Sequence, residues 1–391
     1  MAATESKVLY MNRGAKSARK SISYENLTAP MKRSTPDMWL FLIVIFLVGL
    51  GVIMVFSASY YDTLSKDPYE YLKRQGSFAA AGLVISIIAM NFDYQKYRFF
   101  SKPVFYVTIA LLVIVLFLED VNHTHRWIRI GSTGINIQPS EVAKFALSLY
   151  LAKYLSRKKA NPNEIKGTLR HVLAVLFITL GLVCIEPDLG ATIALACIAM
   201  AILICAGLHW LYVASAAVLG ASGVAVLLMT NEYQMRRVQG FLDPWADPLG
   251  KGYQLINSYF ALGSGGFWGV GIGGSRQKLG FLPEQNTDFI FSITGEELGF
   301  IGAGLIVVLF LLLAWRGYMI ALRCPDLFGC LLAIGITTSL ALQAAVNLAV
   351  VTGCLPVTGI TMPFISYGGS SLLMSMGSVG VLLNISRYRK G

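Results

Sequence analysis

Charge is scarce in this chain. Asp, Glu, Lys and Arg make up 14% of its 391 residues, where a soluble domain carries about 25%. Histidine is scarcer still, with four scattered residues and no HExxH pair, so a zinc site is not expected. The six cysteines, Cys184, Cys197, Cys205, Cys324, Cys330 and Cys354, lie in or near apolar segments without a CxxC pair, which fits small packing residues rather than a disulfide framework. Alternating apolar and polar strands of about ten residues, which a closed membrane barrel needs, are missing. No internal repeat is visible, which leaves the two-half plan of many transporters without support. The stretch Gly263 to Gly274 formally contains GxGxxG at Gly269, Gly271 and Gly274, but no strand precedes it and no Lys-Ser or Lys-Thr follows, so dinucleotide and P-loop readings fail. Its glycines suit sharp bends or a close approach to a ligand.

What is plentiful is apolar sequence, at 55% of all residues. Runs such as Met38 to Ser57, Leu195 to Leu208 and Ile301 to Trp315 approach or belong to helices of the roughly 20 residues that cross a bilayer. Ten spans are expected, near 38–59, 76–92, 103–119, 139–156, 171–186, 189–208, 210–230, 289–315, 328–352 and 371–386. The expected fold is an all-α polytopic integral membrane protein of about ten transmembrane helices. The segments assigned to the inner side carry 21 of the 32 Lys and Arg, so both termini are expected to be cytoplasmic. Residues 1–37 read as a disordered basic tail without a cleavable signal pattern, and 38–391 as one membrane domain. The polar segment 231–288 then becomes one large extracytoplasmic loop. The net charge of +11 follows this topology, and no nucleic-acid partner is expected.

Several polar groups stand out against this background. Asp288 sits where the outer loop enters the eighth span, either as a helix cap or as a functional carboxylate. Glu296 and Glu297 lie two turns deeper and need partners, favouring structural pairing with neighbouring helices. Glu141 and Lys144, at i,i+3, are expected to form an internal ion pair. Arg126 and Arg129 could hold phosphate, with Trp127 alternatively an interfacial aromatic. Asp188, in Glu186-Pro187-Asp188-Leu189-Gly190, is expected to cap the next helix. Gln343 and Asn347 share a helix face and could bond neighbouring helices together.

Near the C-terminus the chain reads Asn347, then Gly353, Pro356, Gly359 and Pro363-Phe364-Ile365-Ser366-Tyr367-Gly368-Gly369-Ser370-Ser371. This pattern closely resembles the signature of the SEDS family (shape, elongation, division and sporulation), with Cys354 a mild departure where an aliphatic residue is expected. The resemblance extends through Arg126-Trp127, Gln138-Pro139-Ser140-Glu141, Lys144, Pro187-Asp188-Leu189-Gly190, Gly252-Tyr253-Gln254, Thr287-Asp288-Phe289 and Gly295-Glu296-Glu297-Leu298-Gly299. It implies a ten-span peptidoglycan glycosyltransferase that polymerises lipid II into β-1,4 glycan outside the bacterial cytoplasmic membrane, paired with a class B penicillin-binding transpeptidase. Asp288 falls on the family's essential outer-loop aspartate and becomes the expected general base. Arg126, Arg129, Glu141, Lys144, Arg236, Arg237, Gln254, Arg276, Lys278, Ser366, Gly368 and Gly369 become candidates for substrate binding. A divalent cation, Mg or Mn, is a further candidate at the pyrophosphate. The regions Ile135 to Gln138 and Leu355 to Gly359 lean towards the division or sporulation branch, implying a septal location among division-complex membrane proteins. Lipid II translocation and a non-catalytic scaffold are the competing readings.

Overall fold

The computed structural model describes residues 34–63, 67–118, 126–129 and 136–388, and the tail expected to be disordered lies outside them apart from residues 34–37. The chain is an all-α polytopic membrane protein. Its long helices are α1 (Met38–Ser59), α2 (Glu70–Asn91), α3 (Tyr94–Val115), α4 (Pro139–Leu155), α5 (Arg170–Ile185), α6 (Leu189–Cys205) and α7 (Trp210–Thr230). Two shorter ones follow, α8 (Glu232–Leu242) and α9 (Tyr253–Ser264), then α10 (Ile290–Arg323), α11 (Leu327–Val351) and α12 (Gly369–Ser386). Among the described residues seven helices are long and apolar enough to cross a membrane: α1, α3, α5 with the π-turn before it, α7, α10, α11 and α12. Among the described residues the only sheet is a two-residue ribbon, β1 (Ile128–Arg129) against β2 (Asn136–Ile137).

Helix starts follow capping chemistry. Asp37 caps α1, Asp93 caps α3 and Asp326 caps α11, each through its side chain to a backbone amide of the first turn. The Asp93 cap starts α3 nine residues before Pro103, earlier than the apolar run suggests. Polar first turns likewise extend α2 outward to Glu70, and α10 runs on to Arg323. The segment 231–288 is not simply a loop, because α8 and α9 lie within it.

The core gathers around α4, where 13 of 17 residues are buried and which packs on α3, α6 and α11. Helices α2 and α12 pack along each other, and a methyl at Gly380 would collide with the Ser86 carbonyl. Small residues thus let two backbones touch where bilayer tails offer no hydrophobic drive. Helix α7 differs: none of its residues is buried. It stands off the bundle and leaves an apolar groove of about 200 Å³ facing α6 and α11.

Helix α10 is broken at Gly299, whose φ of 66° lies in the left-handed region. The break frees backbone groups that must be satisfied. The glycine-rich segment supplies the partners. Val270 and Gly271 donate to the carbonyls of Glu296 and Glu297, while Phe300 and Ile301 donate to those of Gly266 and Phe267, at 2.9–3.3 Å. Glycine is required on both sides, since a methyl at Gly269 would strike the Glu297 carbonyl and one at Gly299 the Gly269 amide.

Candidate active site around Asp288

Asp288 does not cap α10: the helix begins from Phe289 and has no side-chain cap. The main chain around it is pinned instead. Asn347 Nδ2 donates to the Asp288 carbonyl at 2.8 Å and to the Ile360 carbonyl at 2.9 Å. Ser366 Oγ donates to the Thr287 carbonyl at 2.6 Å, and the Tyr367 amide to the Asn286 carbonyl at 2.8 Å. The Met362 amide donates to Ser366 Oγ at 2.8 Å. The residues of the C-terminal signature therefore act as a strap that fixes the 286–288 segment. The half-buried Asp288 carboxylate makes no hydrogen bond or ion pair to another described residue and is left available for other work.

Two cations face it. Arg126 donates to the Glu186 carbonyl at 3.4 Å and to the Pro187 carbonyl, and its Nη1 lies 3.9 Å from Asp188. Arg237, in the middle of α8 and lining the groove, donates to the Val357 carbonyl at 3.1 Å. A methyl on Gly359, at φ 78°, would lie 3.7 Å from both Arg126 Nη1 and Asp288 Oδ2, so this glycine keeps the space between guanidinium and carboxylate open. Withdrawal from water raises the Asp288 pKa to about 6; Glu284 adds to the rise, while Arg237 and Arg126 oppose it. That value suits a base that must be charged at neutral pH yet basic enough to take a proton.

Asp188 caps α6 through the Ala191 amide at 3.1 Å, as expected, and also accepts from Gln138 at 3.2 Å. Glu186 and Glu284 carry no signal in the sequence beyond being acids near the site. Glu186 is fully buried and neither carboxylate oxygen has a hydrogen-bond partner among the described residues. Burial first, and then the neighbouring Asp188, raise its pKa to about 8 against the pull of Arg126.

Other candidates lie elsewhere. Lys278 is buried, pairing with Glu297 at 2.8 Å and Ser57 at 3.1 Å, so it braces the fold. Glu297 also accepts from Ser57 of the neighbouring helix α1, as expected, whereas Glu296 is held by the loop before α10, accepting from Ser275 and from the Arg276 amide at 2.9 Å. Arg276 and Arg129 project into solvent, Gln254 is half-buried in the first turn of α9, and Arg236 pairs within α8 with Glu232 at 3.7 Å. Glu141 and Lys144 form the expected buried ion pair at 2.7 Å, lining a separate small crevice of about 20 Å³ with Gln343 and Ser375. Gln343 donates to Ser339 on its own helix at 3.2 Å, and Asn347 bonds loops, so neither joins helix to helix. Ser366 is held inside the strap; Gly368 precedes α12 with room for a methyl group, while Gly369 packs tightly against the Phe78 ring. Among the described residues no three His, Cys, Asp or Glu side chains are grouped to hold a metal.

Fold and site together define a polytopic helical membrane protein with a carboxylate and two arginines at the rim of an apolar groove. The chain belongs to the FtsW/RodA/SpoVE family of cell cycle proteins, whose model matches residues 38–391. It is 42% identical to stage V sporulation protein E of Bacillus subtilis over 365 residues, 92% of this chain and 99% of that protein. It is 41% identical to the probable peptidoglycan glycosyltransferase FtsW of Trichlorobacter lovleyi, over 93% of this chain and 96% of that protein. The rod shape determining protein RodA of Thermus thermophilus superimposes with a TM-score of 0.68 at 26% identity, over 94% and 99% of the two chains. A chain from a peptidoglycan synthase complex that coordinates polymerization and crosslinking superimposes with a TM-score of 0.73 at 29% identity, over 90% and 98%.

Proposed function

We propose that this chain polymerises lipid II, with Asp288 as general base. It is a peptidoglycan glycosyltransferase of its family. The GlcNAc 4-hydroxyl of the acceptor attacks the anomeric carbon of the lipid-linked MurNAc of the donor. The bond from that carbon to the pyrophosphate oxygen breaks, undecaprenyl pyrophosphate leaves, and the hydroxyl proton passes to Asp288. Direct displacement inverts the anomeric centre, giving a β-1,4 link from an α-linked donor. Pyrophosphate leaves without a general acid, so cations replace one. Arg126 and Arg237 are assigned this role, because they face Asp288.

The observation that carries the reading is the adjacency of a carboxylate without partners among the described residues to the apolar groove under α7, whose lining includes Arg237. A polyprenyl chain fits a groove lined by Leu189, Ile193, Val224, Leu228, Val346 and Ile360, with its phosphates at the arginine. The membrane-embedded charges that would serve translocation are instead consumed in two local networks, Glu141 with Lys144 and Glu296–Glu297 with Lys278 and Ser275. This favours the polymerase over a flippase.

In this reading ten helices span the cytoplasmic membrane, both termini are cytoplasmic, and Asp288 faces outward. A class B penicillin-binding transpeptidase is the partner, supported by the likeness to the synthase-complex chain. Septal assembly with other division proteins is part of the same proposal, supported by the likeness to the sporulation and FtsW relatives. Magnesium or manganese, where it takes part, would draw on the phosphates of the substrate and on a carboxylate such as Asp288; chelation during the assay measures that dependence. Purified protein with its transpeptidase should convert labelled lipid II to glycan, and Asp288→Asn should lower the rate about 10²- to 10⁴-fold with unchanged folding. Full polymerisation by the variant would reject the assignment, and growth of cells on that variant would favour a scaffold.

A further inference from the structure

On the membrane face opposite Asp288, the ends of α3, α4 and α5 meet in a basic hollow. Helix α4 starts beside the active site at Pro139 and finishes here at Leu155. The hollow, of about 610 Å³, is lined by Lys159, Lys166, Arg170, His171, Tyr154 and one carboxylate, Glu164. Lys102 and Arg157 lie close to both Lys153 and His171, extending the positive field across three helices. None of Lys102, Lys153, Arg157, Lys159, Lys166 and Arg170 has an ion-pair partner among the described residues. Arg98, which also lies close to Lys153, is neutralised by Asp326, and Arg316, elsewhere on this face, by Asp37. Unpaired like charges repel, so crowding them is costly unless an anion joins them.

The hollow is also shaped. The His171 ring stacks on Tyr154 at 4.3 Å and its Nε2 meets the Tyr150 hydroxyl at 2.9 Å, while the Arg157 guanidinium lies 4.5 Å over the Tyr154 ring. A π-turn, Ile165–Leu169, opens α5 and sets Arg170 at the rim. Arg170, Ala174 and Phe177 follow at i, i+4 and i+7, so one face of α5 carries a cation at the membrane edge and then exposed apolar groups, Phe177 being 81% exposed. A phosphate above an apolar strip is the signature of a phospholipid.

We propose that this hollow is a binding site for the phosphate headgroup of an anionic phospholipid, with an acyl chain along the Ala174 and Phe177 face of α5. Basic pockets between membrane helices bind such headgroups, each cation near the surface contributing on the order of 1 kcal/mol. The site is remote from Asp288 and independent of the polymerase reading. The full-length protein, purified in detergent, is titrated with phosphatidylglycerol or phosphatidylcholine and its retained lipid counted by native mass spectrometry. Phosphatidylglycerol should be retained preferentially, and Lys153→Ala/Arg170→Ala should weaken retention roughly 30-fold. Lys96→Ala/Arg323→Ala, which removes two exposed cations outside the hollow, should leave it unchanged. Phe177→Ser keeps every charge and should also weaken retention, which separates a lipid from a soluble phosphate. Equal retention of the two lipids, equal loss in both double variants, or displacement of the lipid by inorganic phosphate alone would overturn the proposal. So would a cytoplasmic protein occupying the hollow in its place.

Discussion

At the scale of single residues, the site works through what its neighbours leave undone. In the proposed reaction Asp288 serves as base because Asn347 and Ser366 hold its main chain while its carboxylate bonds no other described residue. Its pKa of about 6 carries a signed consequence. A base is active when deprotonated, so the initial polymerisation rate should rise through about pH 6 and level off above it. A profile flat down to about pH 4 would place the essential ionisation elsewhere. Glu186 behaves in the opposite sense. Its folded pKa, about 8, exceeds its ordinary value of 4.5, so the fold favours the neutral acid. The stability this provides is complete below the ordinary value and is lost as pH rises through about 8. Glu186→Gln keeps the shape without the proton, so its thermal unfolding should lose less between about pH 6 and pH 8.5 than that of the parent protein.

At the scale of elements, the broken α10 and the glycine-rich segment form one unit. The Gly299 break would be untenable in the bilayer without the amides and carbonyls that residues 266–271 provide. Lys278 and Glu297 lock the same unit from its side chains, with Ser57 of α1 as third member. Lys278→Met would leave a buried carboxylate without its cation and should cost about 3–5 kcal/mol, read as a lowered Tm in detergent. Lys278→Met/Glu297→Leu should recover part of that loss, because no uncompensated charge then remains. The sequence marks these acids as needing partners but not which ones, since Lys278 lies in a stretch that also offers it as a ligand for phosphate. Only the folding of the loop back over the break decides between the two.

At the scale of the whole molecule, the helices sort themselves by how much lipid they must face. Helix α4 is buried along most of its length, whereas α7 is buried nowhere, and the groove between α7 and the bundle brings an apolar surface up to Arg237. The proposed outward orientation of the Asp288 side is open to direct measurement. Cys354 is exposed in the segment after α11, so a protein retaining it as its sole cysteine should label in intact cells with a membrane-impermeant maleimide. Protection until the cells are broken open would reverse the topology. Hydropathy by itself determined the helical membrane class, the long helices and the flanking charge, because each depends on local composition matched to bilayer thickness. The C-terminal signature by itself pointed to the family and to Asp288. It could not separate cations at the site, Arg126 and Arg237, from those exposed or paired elsewhere, Arg129, Arg236, Arg276 and Lys278. That division depends on contacts between residues far apart in the chain, such as Ser366 with Thr287, Arg126 with Pro187 and Lys278 with Ser57. Tertiary structure alone supplies these contacts, because a long flexible side chain finds its partner only after the backbone has decided what stands beside it.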